Sequence, residues 1–260
     1  MHYFKDDEIF ASKFIHLSRG FNDVNKRAKL IKGYRDELLI QDMISLVKEN
    51  TMVTYDGLAL SVDLIRYINN NNIAGNIVEL GTWKGGSLAL LAHANVHFKN
   101  NNRVFWGFDS FEGIPSPDSV HDKSKFMDNE FKLNENNYDN GLIPVNQLVA
   151  SISDVYQIIN ELELDINKFN IIKGWFQNTL PVYKNEISKI AILRMDGDLY
   201  HSYKIPLEIL YENVVQGGFI VFDDWMLKGC RNAVLEFFES LPIKPFIHKA
   251  DYSVRYIQKI

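Results

Sequence analysis

Hydrophobic and polar positions along the chain fall into two textures that meet near residue 72. Upstream, "LLIQDMISLVKE" and "GLALSVDLIRYI" place apolar residues at helical spacing, with Leu58, Val62, Ile65 and Ile68 near one face. No strand-like alternation interrupts them, so residues 1–72 are expected to form a mostly helical N-terminal segment. From Ile77 the texture changes to short apolar runs, "NIVELG", "RVFWGFDS", "NIIKGW", "KIAILRMDGD" and "GGFIVFDDW", separated by helical patterns. Such alternation predicts an α/β domain over residues 73–260, a parallel sheet with helices on both faces. The terminal "KPFIHKADYSVRYIQKI" holds two strand-like runs too close for an intervening helix, which predicts an antiparallel hairpin.

One stretch fits neither texture. Residues 115–144 are polar and aperiodic, longer than an ordinary connection between a strand and a helix. This insert is expected to be a mobile element beside a ligand site, or else a simple surface loop.

Composition narrows the function. With 260 residues, 46% hydrophobic and 23% charged, the chain can bury a substantial core. A net charge of -5 supplies no basic footprint, so nucleic acid is not an expected partner and a small molecule is. The start "MHYFKDDEIF" lacks signal-peptide features, and no apolar run approaches the roughly 20 residues that span a bilayer, so a cytoplasmic protein without a membrane partner is expected. Cys230 is the single cysteine, which excludes an intrachain disulfide and argues against a thiolate zinc site; it is expected to be a packing residue.

The chemistry concentrates where ligands bind in open α/β sheets, beyond the carboxyl ends of the strands. In "NIVELGTWKGGS", Gly81, Gly85 and Gly86 permit close backbone approach and positive φ, while Trp83 stands where a dinucleotide fingerprint wants glycine. Asp109 ends the second strand, where an acid commonly accepts hydrogen bonds from ribose hydroxyls. Further along the same edge come Asp196, Asp198, Asp223 and Asp224. Asp198 is expected to cap the helix that begins at Tyr200. Asp196, Asp223 and Asp224 would repel one another unless protonated or neutralised, and an all-oxygen set of this kind suits Mg²⁺. The absence of a Walker A motif counts against an NTPase.

"VELGTWKGGS", "FWGFDSFEGIP", "KGWFQNTLP", "LRMDGDLYHS" and "GGFIVFDDW", in this order, resemble the class I S-adenosylmethionine-dependent methyltransferases, and within them the macrocin O-methyltransferase family. The resemblance implies a Rossmann-like doubly wound, mostly parallel seven-stranded sheet with a C-terminal antiparallel hairpin. It also implies that Glu79, Leu80, Gly81, Thr82, Trp83, Gly86 and Ser87 line the methionine and ribose part of S-adenosylmethionine. Asp109, Ser110, Phe111 and Glu112 would hold its ribose and adenosine side, Ser153 and Asp154 would sit near the adenine, and Lys173, Gly174 and Trp175 would lie close by. Thr51 and Met52 resemble a segment that closes over the donor. Asp196, Asp223 and Asp224 would bind Mg²⁺, with Asp196 also lining the donor and accepting the substrate's proton. The family usually has an acidic residue where this chain has His201, which is then either an acceptor contact or base, or a surface histidine at a helix start.

The function implied by the resemblance is that of a Mg²⁺-dependent O-methyltransferase acting on a hydroxyl of a sugar or sugar-containing natural product or polysaccharide, with a glycoside acceptor and a homo-oligomeric state. The N-terminal helices would serve as lid or oligomerisation element. A catechol or phenol acceptor is the nearer rival. An NAD-dependent oxidoreductase and a nucleoside-binding protein without turnover are the rivals from other classes.

Overall fold

A computed structural model describes residues 35–99, 102–138 and 141–260. The expected helical segment before residue 35 lies outside these described residues. Two compact units divide the chain, residues 1–42 and residues 43–260. Of the first, the described part is the start of helix α1 (Arg35–Val47). The site lies in the second.

Helix α2 (Tyr55–Asn70) starts at Thr54, whose side chain accepts from the Gly57 N–H at 3.1 Å. Its buried face is the one the sequence spacing predicts, with Leu58, Val62, Ile65 and Ile68. It packs on helix α3 (Gly86–His97), which follows strand β1 (Asn76–Leu80). The helical segment expected to end at residue 72 therefore contributes a layer to the sheet domain, because the apolar face of α2 needs that cover.

Strands β2 (Phe105–Asp109), β3 (Phe169–Lys173), β4 (Ile190–Met195) and β5 (Val214–Phe222) join β1 in parallel. Strands β6 (His248–Lys249) and β7 (Arg255–Gln258) form the terminal antiparallel hairpin, and β7 pairs antiparallel with β5. The sheet order is β3-β2-β1-β4-β5-β7-β6, so the strand order reverses between β1 and β4. The expected seven-stranded, mostly parallel, doubly wound sheet is what the chain builds. Helices α4 (Lys125–Glu130), α5 (Ile152–Glu161), α6 (Phe176–Ile187), α7 (Tyr200–Leu210) and α8 (Lys228–Glu239) complete the described elements that matter for the site.

The register decides what the strand ends present. Leu80 pairs with both Phe108 and Met195, and Met195 pairs with Phe222. All four are fully buried, and the next residue on each strand is Gly81, Asp109, Asp196 or Asp223. Those four residues thus form one row at the carboxyl edge, across the point where strand order reverses. Among the described residues no helix is long and apolar enough to cross a membrane.

The insert begins and ends on an isolated antiparallel bridge between Pro115 and Pro144, the boundaries expected from composition. Within it, α4 is capped by Ser124, which accepts from Met127 N–H at 3.2 Å. Met127 is buried in the main core cluster, so the insert has an apolar anchor that its aperiodic sequence hides.

Candidate active site

The turn after β1 is built by close approach. Gly81 has φ +87°, and a Cβ there would stand 1.7 Å from the Asp196 carbonyl oxygen. Gly86 N–H donates to the Asn50 carbonyl at 3.0 Å, and a Cβ on Gly86 would meet the same oxygen at 2.6 Å. The segment carrying Thr51 and Met52 is thereby tied to the start of α3.

Asp109 organises the neighbouring loops. Its Oδ2 accepts the Trp83 N–H at 2.8 Å and its Oδ1 accepts the Phe111 N–H at 2.7 Å. Both donors adopt left-handed conformations, φ 46° and 54°, which non-glycine residues rarely hold without support. Burial pushes the Asp109 carboxyl up, and the two N–H bonds offset that rise only in part.

On the β4 and β5 side, charge replaces backbone geometry. Arg194, 1% exposed, places Nη1 2.9 Å from Asp196 Oδ2 and 3.3 Å from Glu79 Oε1, and Nη2 2.5 Å from Asp223 Oδ1. Burial alone would lower its guanidinium pKa, but Asp223, Asp196 and Glu79 outweigh burial and raise it. Glu79 also accepts the Ser87 hydroxyl at 2.6 Å on Oε1, while its buried Oε2 has no partner. Desolvation pushes Glu79 up to about 7, against the opposing pull of Arg194.

Asp196, Asp223 and Asp224 each offer a carboxylate oxygen, and the three oxygens lie within 4.8 Å of one another. Asp224 is held through Oδ2 by the Tyr203 hydroxyl at 2.7 Å and the Asp198 N–H at 2.8 Å. Burial and then mutual repulsion raise the carboxyls of Asp223 and Asp224 well above the ordinary range. Asp198 does not cap α7. The N-cap position is Leu199, without a side-chain bond, and the Tyr200 N–H is instead accepted at 2.8 Å by Asp122 of the insert. Asp198 itself has φ 60° and points its N–H at Asp224, which removes it from capping geometry.

A cavity of about 760 Å³ runs along this row. Of the residues expected around the donor, Thr51, Met52, Gly81, Thr82, Trp83, Ser87, Asp109, Ser110, Gly174, Trp175 and Asp196 line it. Glu79, Leu80, Gly86, Phe111, Glu112, Ser153 and Asp154 lie off its wall. Leu80 is in the core, Gly86 is covered by Asn50, and Asp154 forms a capping box with Ser151 at the start of α5. Asp223, Asp224 and His201 line the cavity, as do Pro117, Asp118, Asp122, Phe126, Phe131 and Leu142 from the insert. His201 Nε2 stands 3.5 Å from Asp118 Oδ2, whose other oxygen is 2.8 Å from His121 Nδ1. Cys230 is fully buried, in keeping with a packing role.

Two residues central to this geometry are not among those the sequence pattern singles out. Arg194 had a visible signal, the lone charge within an otherwise apolar six-residue strand. Asp122 had none, since nothing local says that it plugs a helix start 78 residues away.

Comparison with known proteins points one way. Residues 25–259 match the profile of the family described as Macrocin-O-methyltransferase (TylF). The chain is 30% identical over 205 residues to demethyldecarbamoylnovobiocin O-methyltransferase of Streptomyces niveus, covering 78% of this chain and 73% of that one. It is 34% identical over 170 residues to 8-demethyl-8-(2,3-dimethoxy-alpha-L-rhamnosyl)-tetracenomycin-C 4'-O-methyltransferase of Streptomyces olivaceus, covering 64% and 59%. Among solved structures, the O-methyltransferase NovP superposes with a TM-score of 0.71 at 26% identity, over 86% of this chain and 99% of that one.

Proposed function

The chain belongs to the macrocin-O-methyltransferase (TylF) family, and from that premise we propose that it methylates a sugar hydroxyl of a glycosylated natural product or polysaccharide with the help of Mg²⁺. It is an S-adenosylmethionine-dependent O-methyltransferase. That membership displaces the nicotinamide and non-catalytic alternatives. The observation that carries the finer reading is the single row of Gly81, Asp109, Asp196 and Asp223, flanked by Asp224, on one cavity.

The residues present fit both groups. Close-approach glycines, Trp83 and Asp109 make a cradle for a nucleoside amino acid, and three carboxylate oxygens within 4.8 Å suit a hard divalent cation, with Asp196, Asp223 and Asp224 as its ligands. When bound, S-adenosylmethionine supplies an activated methyl group and Mg²⁺ makes an acceptor hydroxyl more acidic. The chain's own task is to align that hydroxyl and take its proton. Asp196, held through Oδ2 by Arg194 Nη1 at 2.9 Å, takes that proton. His201, on the same wall and next to Asp118, contacts the acceptor. Pro117, Phe126, Phe131 and Leu142 offer an apolar surface beyond the carboxylates, which suits a sugar diol at the acidic end and an apolar aglycone along the insert. The rhamnosyl group in the name of the Streptomyces olivaceus relative supports a sugar acceptor.

The test is methyl transfer from S-adenosylmethionine to a panel of glycosides and phenols, with Mg²⁺ or with EDTA. Transfer to a glycoside hydroxyl that EDTA abolishes is expected, and Asp196→Asn should lower kcat by about 10²- to 10⁴-fold while S-adenosylhomocysteine still binds. Undiminished transfer in EDTA refutes the cation, and a preference for phenols refutes the sugar.

A further inference from the structure

The Arg194 side chain bridges the two halves of the site. Through Nη1 it reaches Glu79, whose Oε1 also holds Ser87 on the cavity wall behind the donor turn. Through Nη1 and Nη2 it grips Asp196 and Asp223, two of the three carboxylates that converge within 4.8 Å. A guanidinium is a rigid planar fork, so the positions of these three carboxylates are geometrically linked. Its burial at 1% exposure removes competing water from these contacts.

We propose that Arg194 is a positioning residue that couples donor binding to cation binding, by holding Asp196 and Asp223 in the arrangement set from the Glu79 and Ser87 side. The proposal rests on the cation reading above. A donor that fixes Ser87 fixes Glu79, hence the fork, hence two cation ligands. The same linkage runs in reverse: a cation that fixes Asp196 and Asp223 fixes the wall on which the donor rests. By thermodynamic reciprocity the two affinities must change by one common factor. Lysine at this position keeps the charge but loses the fork. Glutamine in place of Glu79 keeps an oxygen for Ser87 but loses the carboxylate that Arg194 grips.

The experiment measures binding, not turnover. Mn²⁺ is titrated into the full chain with and without saturating S-adenosylhomocysteine, by electron paramagnetic resonance of free Mn²⁺, and S-adenosylhomocysteine is titrated calorimetrically with and without Mn²⁺. The wild-type chain should show mutual tightening of about tenfold in both directions. In Arg194→Lys, Mn²⁺ affinity should fall by about tenfold or more and the mutual tightening should vanish, with S-adenosylhomocysteine affinity in the absence of metal little changed. In Glu79→Gln, which answers the question if Arg194→Lys does not fold, the tightening factor should fall to near one. Wild-type Mn²⁺ binding with the tightening retained in either folded variant overturns the proposal and leaves the cation reading standing. A wild-type chain that binds no Mn²⁺ overturns both.

Discussion

Asp109 is expected from sequence to bind ribose, but its geometry makes a second demand that asparagine exposes. Each carboxylate oxygen accepts one backbone N–H, from Trp83 at 2.8 Å and from Phe111 at 2.7 Å. The donors sit at φ 46° and 54°, and a left-handed non-glycine residue costs about 1–2 kcal/mol, so about 2–4 kcal/mol for the pair. Hydrogen bonds to a charged group contribute about 1.5–3 kcal/mol each, enough to offset that strain. An asparagine side chain there would have the same shape with one accepting oxygen; its amide nitrogen would face an N–H donor. One bond is then lost and one donor orphaned, a loss of about 2–4 kcal/mol. For a chain of this size that lowers Tm by roughly 5–15 °C. Thermal unfolding of Asp109→Asn without ligand, followed by calorimetric titration with S-adenosylhomocysteine, separates the roles. Both Tm and affinity should fall. An unchanged ligand-free Tm with weakened binding refutes the claim that Asp109 holds the two loops.

Three other perturbations probe the same geometry. Gly81→Ala forces a Cβ toward a backbone oxygen 1.7 Å away at φ +87°, so it should cost more than about 2 kcal/mol in chemical denaturation and abolish S-adenosylhomocysteine binding; normal values for both contradict the close approach. Gly229→Ala would place a Cβ 1.8 Å from Asp122 Oδ1 and should dislodge the insert, seen as faster proteolysis within residues 115–144, whereas cleavage at the wild-type rate sinks the anchoring role of Asp122. Glu79 has its folded pKa raised from 4.5 to about 7, so the folded state binds its proton more tightly than the unfolded state does. Its contribution is therefore full below pH 4.5 and is lost as pH rises through 7, about 3 kcal/mol in all. The stability difference between wild type and Glu79→Gln should drift over that window, and a flat difference contradicts the shift.

The parallel strands were legible because strands buried on both faces read as continuous apolar runs, and the hairpin because β7 comes after β6 with too few residues for a helix. The strand-end aspartates were legible for a related reason: charge at the end of an apolar run is hard to explain by packing. Other features depend on partners far away in sequence. Asp122 looks like any polar loop residue until the Tyr200 N–H is placed on it, and Met127 looks like an isolated apolar residue until the core closes over it. Asp198 depends on distant partners in the same way. Its position before Tyr200 suits a cap, but its left-handed backbone turns its N–H toward Asp224 and the cap comes from the insert. Asp154, expected near adenine, already has local work in a capping box that its spacing from Ser151 announces.

The two halves of the site use different physics, and the seam between β1 and β4 is where they meet. On the β1 and β2 side the chain shapes backbone: Gly81 and Gly85 at positive φ, and Trp83 and Phe111 held left-handed by Asp109. On the β4 and β5 side it gathers charge, three carboxylates steadied by Arg194, Tyr203 and the Asp198 N–H. A turn shaped by backbone and an acidic cluster would not meet on one cavity if ordinary side chains separated them. The missing Cβ of Gly81 brings the β1 turn against the Asp196 carbonyl. Transfer of a methyl group requires donor carbon and acceptor oxygen within about 3–3.5 Å. The glycine that first reads as a loop-former is therefore the residue that lets the β1 turn and the carboxylate cluster share one cavity.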